Sequence, residues 1–311
     1  MTETVRLREV GPRDGLQMVK TVLPSAAKIE WCERAAAAGV PEVEATSFVP
    51  AKIVPQFADA DAVAAGVAAS TAARMSALVV NLKGAIRAFD AGFTKVNYVV
   101  SASEAHSQAN ARRTTDEALE EFERIVAERA TRGLDGTVEL SPGVATAFGC
   151  TLQGEVPEAR VHEVIDRLVS SGADEIMVAD TIGYAHPAKV ERLLGAVVER
   201  LGALPVAAHF HDTRGLGLAN VTAAVRVGVR RFDASLAGLG GCPFAPGATG
   251  NVDLEDCVYL LEELGYSTGV DLDALLRLRE TVEGWLPGER FSGAIARVGL
   301  PKTYRFDRAS R

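Results

Sequence analysis

Val5-Arg6-Leu7-Arg8-Glu9-Val10-Gly11-Pro12-Arg13-Asp14-Gly15 is the stretch on which the reading of the fold turns. Val5–Val10 has the character of a short strand, and the turn that follows it is not the G-x-G-x-x-G of a dinucleotide-binding sheet. Further strand candidates recur along the chain at Val43–Phe48, Ser76–Asn81, Thr94–Ala102, Thr137–Thr146, Glu175–Asp180, Val206–His211 and Arg231–Ala237. Helical patterns separate them, among them Ser25–Ala38, Thr115–Thr131, Pro157–Ser170, Pro187–Arg200, Leu218–Val227 and Leu254–Leu264. Such alternation implies parallel strands joined by crossover helices. Eight units can close into a barrel or open into a doubly wound sheet, and an open sheet would place a phosphate-binding turn after its first strand. Here polar residues gather just after several different strands, as a barrel mouth requires. The expected fold is therefore α/β, a single (β/α)8 TIM barrel over residues 1–266. A helical extension, residues 267–311, is expected to pack on it.

Bulk properties narrow the function. The 311 residues carry 33 basic and 41 acidic side chains, a net charge of −8, which argues against a nucleic-acid partner. Four cysteines, Cys32, Cys150, Cys242 and Cys257, lack the spacing of a zinc finger or a disulfide framework. No stretch approaches the roughly 20 apolar residues of a membrane span. The first residues show neither the basic nor the apolar region of a signal peptide, so a cytoplasmic enzyme without a membrane partner is expected.

Three segments can carry chemistry. In His209-Phe210-His211, residues two apart on a strand face the same way, so both imidazoles point into the barrel at its C-terminal end. They read as a metal pair or as two buried, hydrogen-bonded histidines. Arg13-Asp14 alone would pass for a solvated turn. Gly238–Asn251, rich in glycine and holding two prolines, is longer than a minimal connector and reads as a functional flap; the lysine of a P-loop is missing. In a closed barrel the eighth strand lies between the seventh and the first, which brings Asp14, His209, His211 and Asn251 to one arc of the mouth. Mixed nitrogen and oxygen donors without thiolate suit Mg²⁺ or Mn²⁺, with Zn²⁺ or Co²⁺ as alternatives. Glu44 and Asp180, placed at the ends of the second and sixth strands, could be ion-pair partners, orienting groups or proton-transfer groups.

Taken together these residues resemble the hydroxymethylglutaryl-CoA lyase family, among the metal-dependent lyase and synthase barrels. The matching segments are Glu9–Gln17, Glu44–Phe48 with Val54–Gln56, Ser103-Glu104, Ala179–Gly183 and His209–Thr213. The most specific is Gly238–Pro243 with Pro246-Gly247 and Gly250-Asn251. The resemblance implies retro-Claisen cleavage of a 3-hydroxyacyl-CoA to acetyl-CoA and a keto acid, with a divalent ion held by Asp14, His209, His211 and Asn251. It further implies that Arg13 neutralises the enolate oxygen and that Asp180 or a ligand-sphere histidine such as His209 acts as base. Cys242 would protonate the enolate carbon. Gln17, Glu44, Thr181 and Arg214 fall among the residues expected around an acyl-CoA substrate, and a homodimer is a family-level expectation. The chain departs from the family pattern at Ser141-Pro142-Gly143, where Arg-Gly-Tyr is usual, at Arg214 in place of tyrosine, after Gln17 and at His106. These departures touch the acyl pocket and point to an altered substrate such as citramalyl-CoA. A barrel that binds acyl-CoA without turnover is the non-enzyme alternative.

Overall fold

A computed structural model describes residues 2–241 and 250–304. Eight strands close into a barrel in sequence order with every neighbouring pair parallel. They are β1 (Arg6–Glu9), β2 (Glu42–Ser47), β3 (Arg74–Val79), β4 (Lys95–Ser101), β5 (Glu139–Ala145), β6 (Ile176–Asp180), β7 (Val206–Phe210) and β8 (Arg231–Ala234). The surrounding helices are α1 (Ser25–Ala37), α2 (Ala60–Val67), α3 (Leu82–Asp90), α4 (Glu104–Ala111), α5 (Thr115–Thr131), α6 (Glu158–Ser171), α7 (Pro187–Leu201), α8 (Gly217–Arg226) and α9 (Leu254–Glu263). α10 (Leu272–Trp285) and α11 (Ile295–Val298) follow the barrel. Arg34 of α1 reaches Thr281 of α10 at 2.9 Å, one tie between that C-terminal helix and the barrel wall.

The expected strands all form, but two boundaries move for identifiable reasons. β3 stops at Val79 rather than Asn81, because the Asn81 side chain caps α3 by accepting from the Gly84 amide at 2.9 Å. β8 stops at Ala234 rather than Ala237. Ser235 N–H turns to Val252 O at 3.0 Å, and the two amides after it are taken by carboxylates: Leu236 N–H donates to Glu9 at 2.9 Å and Ala237 N–H to Glu255 at 3.0 Å. Ala237 then adopts a left-handed φ of 59°, turning the chain toward the mouth.

The apolar core lies between the sheet and the helices. Outward residues of the strands, such as Val43, Ile176, Phe210 and Phe232, are fully buried together with Trp31, Phe122, Ile125 and Leu193 from the helices. The inside of the barrel is different. Barrel interiors are usually filled by branched aliphatic residues, whereas the lower half here holds interlocked ions. Arg8 meets Glu42, Glu175 at 2.7 Å and Asp233 at 3.1 Å. Lys95 meets Glu42 at 3.1 Å and Glu139 and Glu175 at 2.9 Å, and Arg231 also pairs with Glu175.

Glu175 is the hub of this lattice. Burial by itself would raise its carboxyl, but Arg8, Lys95, a Ser141 hydroxyl and Arg231 hold it well below the usual carboxylate range. Removing one partner of a buried ionic cluster leaves uncompensated charge, so Glu175→Gln is expected to cost about 3 kcal/mol in urea unfolding near neutral pH. The folded-state value is depressed. Its stabilisation is therefore present above the unfolded glutamate value of about 4.3 and is lost as pH falls through the folded value. The gap between wild type and variant should accordingly shrink in acid; a gap that is small at pH 7, or constant down to pH 3, would contradict this account.

Candidate active site

The site is built where β7, β8 and β1 reach the mouth. After β1 the backbone makes a single wide turn, Gly11–Gly15, in which the amides of Arg13, Asp14 and Gly15 all converge on the Val10 carbonyl, Asp14 at 2.6 Å. Turns of this width are rare and recur at functional sites. Gly11 is required, since a Cβ there would collide with the Glu9 carboxylate and the Trp31 ring. The turn delivers Asp14 to the barrel axis. It also lays the buried Arg13 guanidinium between two carboxylates: Nε pairs with Glu44 and Nη1 with Asp14 at 2.6 Å. Glu44 sits inside β2 rather than at its end, as the sequence had implied, and accepts from Asn97 of β4 at 2.7 Å.

His209 and His211 point to the same side as their spacing requires, with ring centroids 5.1 Å apart. One ligand atom from each, together with an Asp14 oxygen, lies within 4.8 Å of the others. Asn251 is brought in by the segment returning from the β8 loop, which bridges to His211; Asp212 N–H donates to Gly250 O at 2.9 Å and Val252 N–H to Phe210 O at 3.1 Å. The Asn251 amide nitrogen then donates to Asp14 at 2.8 Å and to Leu239 O at 3.1 Å, leaving its oxygen turned away from both.

Protonation fits a cation site. Burial would raise Asp14, but Arg13, His209, His211 and the Asn251 amide bring it down to about 2, so it is a carboxylate. Burial and neighbouring His209 push His211 down to about 4, a neutral imidazole at neutral pH. For His209 burial acts downward, yet the hydrogen bond and charge of Asp233 raise it on balance. His211 Nδ1 and Asn251 Oδ1 are buried and without a hydrogen-bond partner among the described residues. An orphaned imidazole nitrogen beside a carboxylate and a second imidazole is a donor set that fits a divalent ion.

The remaining expected residues are placed as follows. Asp180, buried at the end of β6, accepts from the amides of Tyr184 at 2.7 Å and Ala185 at 3.0 Å, and burial pushes it up to about 6. Thr181 accepts from Thr146 N–H at 2.8 Å, where Thr146 holds a left-handed φ of 59°. Gln17 is half-buried just past the wide turn. Arg214 pairs with no carboxylate among the described residues: Nη1 donates to Ile182 O at 3.0 Å and Gly183 O at 2.8 Å while its guanidinium lies over the Tyr184 ring. His106 is buried against Ser101, Nδ1 to hydroxyl 3.0 Å. Cys242 lies outside the described residues. Sequence reading missed Asp233, which contacts His209 at 3.1 Å, although its inward parity two residues after Arg231 was there to be read.

A carboxylate and two imidazoles that could hold a metal ion at the mouth of a (β/α)8 barrel define a class of barrel enzymes, and comparison with known proteins gives the family. The HMGL-like family model matches residues 4–282. The chain is 41% identical over 303 residues to the mitochondrial hydroxymethylglutaryl-CoA lyase of Arabidopsis thaliana, spanning 97% of this chain and 64% of that protein. It is 40% identical over 307 residues to the (R)-citramalyl-CoA lyase of Chloroflexus aurantiacus, 96% of this chain and 95% of that one. Among solved structures, an HMG-CoA lyase from A. baumannii in complex with coenzyme A and 3-methylmalate superposes with a TM-score of 0.90 at 39% identity, covering 98% of both chains. The chain belongs to the HMGL-like family and is an enzyme of that lyase kind. Among the described residues, no helix is long and apolar enough to cross a membrane.

Proposed function

We propose that this protein is a divalent-metal-dependent carbon–carbon lyase that cleaves 3-hydroxy-3-methylglutaryl-CoA, or a close analogue, to acetyl-CoA and a keto acid. The observation that carries the reading is the Asp14, His209 and His211 cluster beside the buried Arg13–Glu44 pair, in a chain matching such lyases along nearly its whole length. Asp14, His209, His211 and Asn251 would hold Mg²⁺ or Mn²⁺, which would supply Lewis-acid polarisation of the substrate hydroxyl. Asp180 takes the hydroxyl proton: a carboxyl pushed up to about 6 exchanges protons well near neutral pH. His209 is the weaker candidate, since its Nδ1 is held by Asp233 and its Nε2 faces Asp14 at 4.0 Å. As the carbon–carbon bond breaks, charge develops on the thioester oxygen and Arg13 neutralises it. Cys242 returns a proton to the enolate carbon, a role suited to a thiol with a reference pKa of about 8.5. Glu44 fixes the Arg13 plane, and Gln17 and Thr181 would contact the substrate. Incubating the protein with the CoA ester and Mg²⁺ and detecting acetyl-CoA by mass tests the reading; no acetyl-CoA from any 3-hydroxyacyl-CoA ester would leave the acyl-CoA-binding alternative.

A second reading, cleavage of citramalyl-CoA, is favoured by the acyl side of the barrel. Gly143 presents no side chain there, and the Met177 methyl occupies the place a Cβ would take. With Ala179 and Ala207, Met177 forms a small apolar patch on the inside of the barrel. Arg214, the other departure from the family pattern, holds the Ile182-Gly183 carbonyls just after β6. Arg214→Tyr frees those carbonyls and is expected to change the ratio of kcat/KM between methylglutaryl and citramalyl esters about tenfold. Equal ratios in wild type and variant would remove Arg214 from substrate selection.

A further inference from the structure

The two histidines are held differently. His209, Asp233 and Arg8 lie in one row of the barrel: His209 is the register partner of Asp233 across β7 and β8, and Asp233 that of Arg8 across β8 and β1. Within this row His209 Nδ1 contacts one Asp233 oxygen at 3.1 Å, and Arg8 Nη1 lies 3.1 Å from the other. His211 Nδ1 has no such partner among the described residues. Arg8 is itself fixed by Glu42 and by Glu175 at 2.7 Å, so the row is anchored in the ion lattice below the mouth.

We infer that Asp233, backed by Arg8, is a positioning residue that locks His209 in the tautomer with the proton on Nδ1 and its Nε2 lone pair aimed at the metal site. An ionised carboxylate can only accept, so Nδ1 must donate, and Nε2 is left as the lone-pair nitrogen 4.0 Å from Asp14 Oδ2. Arg8 keeps that acceptor an anion in a buried place. Such an outer carboxylate orients a ligand imidazole and raises its basicity, and loss of one weakens metal binding by roughly 10- to 100-fold.

This inference rests on the metal-site reading above, and the test separates the two. Mn²⁺ binding is titrated by calorimetry on purified wild type, Asp233→Asn and Glu175→Gln. The last removes a carboxylate from Arg8 without touching His209. The expected result is a 10- to 100-fold weaker Kd in Asp233→Asn alone, with Glu175→Gln like wild type despite its lower stability. Wild-type affinity in Asp233→Asn overturns the positioning role while leaving the metal site standing. No Mn²⁺ binding by wild type overturns both. Should Asp233→Asn fail to fold, ¹⁵N imidazole shifts of metal-free wild type at alkaline pH decide the matter. A lone-pair signature at His209 Nε2 is expected, and a protonated Nε2 overturns the proposal.

Discussion

His211→Ala is expected to lower kcat/KM by at least about 10³-fold and to weaken Mn²⁺ binding by about two orders of magnitude, while the protein stays folded. The reasoning begins with what His211 does not do. Its Nδ1 has no partner among the described residues, and burial with neighbouring His209 keeps the ring neutral, down to about 4, so its removal strands no buried charge. Loss of a buried neutral ring costs packing alone, about 1–2 kcal/mol, small against a typical stability of 5–15 kcal/mol. His209→Ala is the instructive contrast. It leaves Asp233 without its 3.1 Å imidazole contact, beside an Arg8 already shared among three carboxylates, and should destabilise more. Activity, calorimetric Mn²⁺ titration and urea unfolding of the two variants check this. A His211→Ala protein that turns over at the wild-type rate after metal stripping and Mg²⁺ addition would refute the metal assignment.

Arg13→Lys should reduce kcat by 10²- to 10³-fold with little change in KM, the signature of a group used mainly in the transition state. Arginine here works through its shape. Nε faces Glu44 and Nη1 faces Asp14 at 2.6 Å, while Nη2 is engaged in neither contact and, on the proposed mechanism, would be the nitrogen offered to the developing oxyanion. Lysine supplies one charged nitrogen where three are needed, so it can neutralise Glu44 but cannot also reach the substrate. Stability distinguishes this from simple disruption. Arg13→Lys retains the charge and should unfold within about 1 kcal/mol of wild type. Arg13→Met leaves Glu44 and Asp14 facing each other uncompensated and should cost about 3–5 kcal/mol. If Arg13→Lys keeps the full kcat, the enolate is stabilised elsewhere.

The alternation of short apolar runs and helical patterns was enough to give parallel strands with crossover helices, and the polar residues after several strands, with no phosphate-binding turn after the first, favoured closure into a barrel over an open sheet. Parity also placed His209 and His211 on one face, and barrel closure then brought Asp14 and Asn251 to them from the two ends of the chain. Strand ends were less legible. Asn81 reads as a strand residue until its side chain is seen capping α3, and β8 is cut short by carboxylates of Glu9 and Glu255 that lie 227 and 18 residues from the amides they accept. Arg214 read as a cation at the mouth; its grip on two carbonyls and the Tyr184 ring depends on how the β6 and β7 loops meet. Asp233 is the sharpest case. Nothing local in Arg231-Phe232-Asp233-Ala234 says what its carboxylate touches. The register between β7, β8 and β1, fixed only on closure, puts it between an imidazole and a guanidinium. Which side chains face the barrel interior follows from the strand residues alone, since alternation is a property of the strand. Which of them meet, and which buried charges cancel, was decided by the tertiary structure, because those contacts depend on the stagger of strands far apart in the chain.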